Sequence, residues 1–139
     1  MDLLSAWTTR WPKIAPQDIL SPVGLEHFQS GHMVMNVEFM DKLHSFLLKF
    51  NSRFYINNFE FGLELRGWRS WAENLRIDGK LYHPMGVAAD ITIEGHTPAQ
   101  IAAAAEDYGF HGIGIYNTFT HVDLRPLLGT TIFKWDKRK

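Results

Sequence analysis

The sequence contains no cysteine. This absence excludes disulfide bonds, metal sites built from thiolates and catalysis by a cysteine nucleophile. It does not indicate a compartment, because a chain without cysteine is compatible with oxidising and reducing surroundings alike.

The sequence also lacks a net charge of any size. Its 14 lysines and arginines are matched by 15 aspartates and glutamates, which gives a formal net charge of −1. No overall field therefore attracts the protein to nucleic acid or to an anionic membrane, and we expect no nucleic-acid partner. The final residues, Lys134 to Lys139, are locally basic, and we expect them to form a solvated tail.

Long hydrophobic runs are missing as well. No stretch is long enough to span a membrane, and the N-terminus lacks the basic start and apolar core of a signal peptide. We therefore expect cytoplasmic synthesis without a signal peptide. No internal repeat or low-complexity segment divides the 139 residues, so the sequence predicts a single domain with its own core.

Periodic patterns predict an α+β fold. Apolar residues recur every three or four positions over residues 36–50, with Asn36 as a candidate N-cap, which predicts a helix. Thr97 and Pro98 form a strong start signal for a second helix that ends at Gly109. Strand-forming patterns occupy residues 53–66, 87–93, 111–116 and 120–124. The order predicts one mainly antiparallel sheet with flanking helices.

The first 24 residues carry no clear periodicity. Pro12, Pro16 and Pro22 exclude a long helix, so we expect short turns over the domain surface, anchored by Trp7 and Trp11. A Ser-Pro pair at position 21 could open a short helix.

Two histidines and an aspartate suggest a zinc site. His83 precedes a tight turn at Gly86, and Asp90 follows four residues later on the predicted strand. The turn can fold His83 back beside Asp90, and His121 on a neighbouring strand would complete three protein ligands. By spacing alone the evidence is modest, because the chain has seven histidines and an isolated histidine is more often a surface or core residue.

The surrounding residues resemble a known family. His83, Gly86, Ala88 and Asp90 match the H-x-x-G-x-A-x-D signature of zinc D,D-carboxypeptidases and L-alanyl-D-glutamate endopeptidases. These enzymes are peptidoglycan peptidases whose fold is shared with the Hedgehog signalling domain. The segment from Gly109 to Arg125 resembles the family's terminal hairpin, which would carry the last zinc ligand, His121, in an H-x-D motif. Gly67-Trp68-Arg69-Ser70 resembles a Gly-Tyr-Arg-Ser turn before the first histidine.

The resemblance covers residues 36–126, with 1–35 as an N-terminal extension and 127–139 as a C-terminal tail. It implies one bound Zn²⁺ and a substrate that is a bacterial cell-wall peptide containing D-amino acids. It also implies that Arg69 contacts the substrate or polarises the carbonyl of the bond to be cut. The alternative for Arg69 is an ion pair with Glu60, Glu64 or Glu73.

The sequence departs from the family at the general base. Many members carry an acid three residues before the last histidine, where this chain has Thr118. Asp123 is the candidate base, because His121, Asp123 and Arg125 share one side of a strand. The alternatives are that Asp123 orients a ligand imidazole or pairs with Arg125.

Two further residues are candidates for substrate binding. Tyr116 could line the cleft or pack, and Asn117 could bind substrate or serve as a turn residue. The sequence thus predicts a zinc peptidase that cuts peptidoglycan as a carboxypeptidase or an endopeptidase. The absence of a signal peptide suits a phage endolysin or a virion-associated lysin that acts at the cell wall after release. A non-catalytic zinc-containing binding or structural module is the alternative.

Overall fold

The computed structural model describes residues 2–58, 62–75, 77, 81–127 and 129–139. In these residues the elements follow the order α1 (Leu3–Arg10), α2 (Pro16–Ile19), α3 (Pro22–Gln29), α4 (Val37–Leu48), β1 (Phe54–Tyr55), α5 (Trp71–Leu75), β2 (Ala88–Ile93), α6 (Pro98–Tyr108), β3 (Gly112–Ile115), β4 (Thr120–Asp123) and β5 (Phe133–Asp136). None of the helices in this part of the chain has the length and apolar character needed to cross a bilayer.

The strands form one sheet in the spatial order β1–β2–β4–β3–β5. The pairs β1–β2, β2–β4 and β3–β4 are antiparallel, whereas β5 runs parallel to β3. The predicted single-domain α+β class is therefore confirmed, with a sheet that is mixed rather than purely antiparallel. The Hedgehog-like relationship remains a prediction.

The two helices with clear sequence signals begin where those signals lie. Asn36 caps α4, with its Oδ1 accepting from the N–H of Phe39 at 2.8 Å. At α6, Thr97 Oγ1 accepts from the N–H of Gln100 while Gln100 Oε1 accepts from the N–H of Thr97. Gly109, with a φ of +93°, ends α6 in a left-handed conformation that glycine adopts easily.

The N-terminal segment is helical and belongs to the core. The expected short turns are corrected to α1, α2 and α3, because each proline lies between helices or at the first turn of one, where its missing N–H costs nothing. Trp7 and Trp11 are buried as predicted, with ring centroids 5.0 Å apart. Ser21 opens α3 by accepting from the N–H of Gly24.

The C-terminal segment is also ordered into the sheet. The expectation of a solvated tail is corrected in part: Lys134 and Asp136 are exposed to solvent, but the segment pairs with β3 in the register Ile113–Lys134, Gly114–Trp135 and Ile115–Asp136. A Cβ at position 114 would overlap the ring of Trp135, so glycine allows the two strands to lie side by side. The basic composition obscured a strand in which Phe133 and Trp135 alternate with polar residues.

The second half of the strand pattern predicted over residues 53–66 can be compared with the structure only in part. Phe59, Glu60 and Phe61 lie outside the described residues. From Gly62 to Leu65 the strand is wrong: Gly62 has a φ of +69°, and Leu63 forms an isolated bridge to Asn58. This segment instead forms one wall of the cavity described below.

Candidate metal centre

His83 lies in the turn that precedes β2, and Gly86 makes this turn possible. Gly86 has a φ of +75°, and a Cβ there would overlap the carbonyl oxygen of Val34. The His83 ring is buried, and its Nδ1–H donates to the carbonyl oxygen of Gly67 at 2.8 Å. This bond leaves Nε2 as the donor atom for a metal, 3.5 Å from Oδ1 of Asp90.

Asp90 and His121 meet because their strands are adjacent. They are paired residues in the antiparallel register of β2 and β4, so their side chains lie on the same face of the sheet. Oδ1 of Asp90 lies 3.0 Å from Nδ1 of His121. The backbone N–H of Asp90 donates to the carbonyl oxygen of Arg66 at 2.7 Å, which fixes this strand against the neighbouring segment.

The three side chains fit a metal ion. Their potential ligand atoms all lie within 4.8 Å of one another, and all three residues are buried. A tetrahedral zinc ion with bonds of about 2.0–2.1 Å would hold its donor atoms about 3.3 Å apart. The separations of 3.5 Å for His83–Asp90 and 3.0 Å for Asp90–His121 bracket that value. The cluster of His83, Asp90 and His121, called the metal triad below, could therefore hold a divalent ion.

Asp123 contacts the His121 ring at the nitrogen that faces away from Asp90. Its Oδ2 lies 2.7 Å from Nε2 of His121, and it forms a two-pronged ion pair with Arg125. Asp123 is completely buried, and a Cβ at Gly112 on β3 would overlap its carboxylate. The structure therefore places Asp123 behind His121, on the side opposite Asp90. Of the alternatives for this residue, the geometry favours orientation of a ligand imidazole and pairing with Arg125.

In the metal-free protein, hydrogen bonds and nearby charges shift the pKa values of His121, Asp90 and Asp123. Burial alone would lower the pKa of His121, but its hydrogen bonds to Asp123 and Asp90 outweigh burial and raise the pKa to about 9. Burial would raise the pKa of Asp90, yet the adjacent rings of His83 and His121 hold it well below its usual range. The pKa of Asp123 is likewise lowered, against burial, by His121 and Arg125.

Arg69 lies beside the triad. It is buried, with Nε donating to Oδ1 of Asn74 at 2.8 Å and Nη1 donating to the carbonyl oxygen of Leu65 at 3.0 Å. Of its candidate ion-pair partners, Glu73 instead accepts from the hydroxyl of Ser21, and Glu60 lies outside the described residues. Arg69 contributes to the wall of the same cavity as the triad.

This cavity has a volume of about 500 Å³ and opens over the metal triad. Tyr116 lines this cavity. Its ring stacks on that of Phe119, with centroids 4.4 Å apart, and its hydroxyl accepts from Nε1 of Trp135 at 2.9 Å. Asn117 is not among the described residues that line the cavity, and its Oδ1 accepts from the backbone N–H of Lys139.

Two cavity residues were missed from the sequence. Trp135 on β5 packs on the ring of His121, with centroids 5.2 Å apart, and the glycine at position 114 was the signal that could have revealed it. Glu64 also lines the cavity and, among the described lining residues, is the only carboxylate besides Asp90. It was hidden in a segment interpreted as a strand.

Comparison of the chain with protein-family models, with curated proteins and with solved structures finds no match.

Proposed function

We propose that this protein is a zinc-dependent peptidase that hydrolyses peptide bonds in bacterial peptidoglycan. The observation that carries the proposal is the buried triad of His83, Asp90 and His121 beside a cavity of about 500 Å³. A catalytic zinc site typically has three protein ligands of this kind and an open fourth position, and a cavity next to the triad provides access to that position.

The residues around the triad have separate tasks in this proposal. A bound zinc ion would supply a Lewis acid and lower the pKa of water towards neutrality. His83 Nε2, Asp90 Oδ1 and His121 Nδ1 would hold it. The guanidinium of Arg69, fixed by Asn74 and Leu65, would offer its positive charge to a peptide carbonyl or carboxylate in the cavity.

The carboxylates of Asp123 and Glu64 have different roles in this proposal. Asp123 is completely buried and already bound to His121 and Arg125, so we assign it the positioning of the His121 ring. Glu64 is partly exposed, lines the cavity and has no hydrogen bond or ion pair from its carboxylate to a described residue, so its carboxylate can accept a hydrogen bond from a ligand there. Glu64 thus replaces Asp123 as the proposed proton-transfer group.

The substrate class rests on the resemblance of the His83–Asp90 motif to peptidoglycan peptidases. Both D,D-carboxypeptidase and endopeptidase activity fit that resemblance. A phage endolysin released at lysis, or a virion-associated lysin, would meet this substrate at the cell wall. A cytoplasmic or prophage-encoded host protein is the other setting that fits the sequence.

Incubation with purified peptidoglycan tests the activity. Wild-type protein loaded with zinc should release new amino and carboxyl ends that mass spectrometry identifies, and a chelator should stop the release. The same spectra give the bond that is cut. Zinc-loaded protein that frees no new ends would show that the peptidase proposal is wrong.

Metal content tests the ligands independently of activity. Wild-type protein should bind one equivalent of zinc, and His83→Ala should bind well below one. His27→Ala, which removes an exposed histidine outside the triad, is the matched control and should retain the full equivalent. Stoichiometric zinc in His83→Ala would contradict the proposed ligand set.

A non-catalytic zinc-containing binding or structural module is the second candidate. It is favoured by Thr118, which stands where many related peptidases carry an acid; Thr118 is exposed, and its carbonyl oxygen accepts from the hydroxyl of Thr92. One equivalent of zinc without any peptidoglycan cleavage would support this candidate over the peptidase.

A further inference from the structure

A second cavity adjoins the one that contains the metal triad. It has a volume of about 510 Å³ and shares Leu63, Arg66, Asp90 and Phe119 with the first. The cleft therefore continues beyond Asp90, and in this continuation, called the outer cavity, Asp90 is the only described lining residue that belongs to the metal triad.

One face of β2 runs along the outer cavity. Asp90, Thr92 and Glu94 alternate along the chain, and Thr92 is paired with Tyr55 on β1. At about 3.3 Å per residue, Thr92 lies about 7 Å and Glu94 about 13 Å beyond Asp90. An extended peptide bound at the triad is long enough to reach this region with one or two further residues.

Arg66 stands where the two cavities meet. Its backbone is anchored on both sides, because its N–H donates to Oδ1 of Asn57 at 3.0 Å and its carbonyl oxygen accepts from Asp90. Its guanidinium lies over the ring of Phe119, 4.2 Å from the centroid. It forms no ion pair with any carboxylate in the described part of the chain.

Arg53 supplies a second cation to the outer cavity. Its guanidinium lies over the ring of Tyr55, 5.1 Å from the centroid, and it too has no carboxylate partner among the described residues. Among the described residues that line the outer cavity, Glu94 is the one acid besides Asp90 that could offset these charges, but it is exposed at the far end, where the hydroxyl of Tyr55 lies 3.5 Å from its Oε1. Asn58, an uncharged residue, also lines this cavity.

We propose that the outer cavity is a carboxylate-binding subsite, in which Arg53 and Arg66 bind a free carboxylate of an acidic peptide. A guanidinium presents its donors in a planar fork that matches a carboxylate, and stacking on an aromatic ring limits its motion before binding. The negative charges of Asp90 at one end and Glu94 at the other repel a bound carboxylate. Its most favourable position is therefore in the middle of the cavity, near Thr92. The inference rests on the proposed function in taking the ligand to be a peptide.

The carboxylate has two possible sources in a peptide. It is either the C-terminus or an acidic side chain, and the two sources imply trimming of peptide ends or cleavage within a chain. Three probes separate them: acetyl-Ala-Glu-Ala-amide, acetyl-Ala-Gln-Ala-amide, and acetyl-Ala-Gln-Ala with a free C-terminus. The first carries only a side-chain carboxylate, the second carries none, and the third carries only a terminal one.

Calorimetric titration of the full chain with each probe tests the subsite, first with chelator to prevent hydrolysis and then with zinc. A carboxylate-bearing probe should bind roughly tenfold more tightly than the neutral probe, in line with charge-assisted hydrogen bonds. Arg66→Gln and Arg53→Gln should each remove most of this preference. Arg10→Gln, which removes an exposed arginine paired with Asp41, is the matched control and should keep the preference.

Equal binding of the three probes would overturn the proposal, as would a preference that survives in both Arg53→Gln and Arg66→Gln. These outcomes are distinct from failure of the peptidase. Carboxylate-dependent binding without peptidoglycan cleavage would retain the subsite and reject the enzyme. Cleavage by zinc-loaded protein with no carboxylate preference would retain the enzyme and reject the subsite.

Discussion

Two Asp-x-Arg sequences form ion pairs of nearly the same geometry in very different surroundings. Asp123 ends β4 and pairs with Arg125, and Asp136 ends β5 and pairs with Arg138. In both pairs the arginine backbone N–H and Nε donate to Oδ1 at 3.0 Å. The Asp123 side chain is 0% exposed, whereas that of Asp136 is 46% exposed.

The two pairs show that the local sequence is enough to form the ion pair, whereas burial determines how much the pair contributes to stability and what role it has. The pair itself needs only two residues at the end of a strand. Burial then leaves Asp123 without solvent, so its carboxylate is satisfied by Arg125 and His121 together, and it becomes part of the support for the metal triad. Asp136 has water as an alternative partner, and its pair therefore contributes little.

The largest effect is expected from Asp123→Asn. This change leaves His121 and Arg125 without their buried carboxylate, and we expect the free energy of unfolding of the metal-free protein to fall by about 3–5 kcal/mol. Zinc affinity should fall about 10- to 100-fold, because the His121 ring loses its orientation. Urea denaturation and competition with a chromophoric chelator measure the two effects. An unchanged zinc affinity would contradict the positioning role.

A smaller effect is expected from pH in the metal-free protein. The folded pKa of His121 is about 9, above the value of about 6.5 in an unfolded chain. Its contribution to stability is therefore fully present below about pH 6.5 and lost as the pH rises through 9, on the order of 3 kcal/mol. Asp90 and Asp123 have lowered pKa values, so their contributions are lost only in acid.

Urea unfolding between pH 6.5 and 9.5, together with an NMR titration of the His121 ring, checks this expectation. Zinc should abolish the dependence over this range, because a ligand imidazole must give up its proton. A ring that titrates near 6.5, or stability that does not fall with rising pH, would rule out the proposed coupling.

The smallest effect is expected from Asp136→Asn. The hydrogen bond from Arg138 lowers the pKa of Asp136, but both side chains are exposed to solvent. We expect neither the urea midpoint nor zinc affinity to change measurably. A loss of stability comparable to that of Asp123→Asn would show that burial does not explain the difference between the two pairs.

The positions of α4 and α6 were predictable because their signals are local, whereas α1 and α2 were not predicted. Asn36, Thr97 and Gly109 carry capping information in their own side chains or backbone freedom, and helices α4 and α6 begin or end next to them. The buried face of α4 was only partly predicted. The apolar spacing places Val37, Met40, Leu43 and Leu47 on that face, yet Val37 is 41% exposed, and Phe39 and Phe46, which lie outside this stripe, are buried. Which face is buried depends on the partners that pack against it.

The metal triad was predictable mainly because its residues match a motif and because the turn at Gly86 brings His83 close to Asp90. By spacing alone the evidence for His121, which is 31 residues from Asp90, is modest. The residues that support and surround the triad were harder to predict. The sequence allows three roles for Asp123, predicts Glu64 only as a possible partner of Arg69 and assigns Trp135 no role, because the places of these residues beside the triad depend on long-range contacts. The parallel pairing of β5 with β3 has no signal in its own residues beyond alternation.

By itself the sequence determined the α+β class, the start of α4, both ends of α6 and three candidate ligands, since these depend on residues close in the chain or on a recognisable motif. Only the tertiary structure decided that Asp123 lies behind His121, that Asp136 remains in solvent, and that Arg53 and Arg66 border a second cavity. The physical reason is burial. The same Asp-x-Arg pattern contributes strongly to stability only where the fold excludes water and brings a distant partner, His121, to the carboxylate.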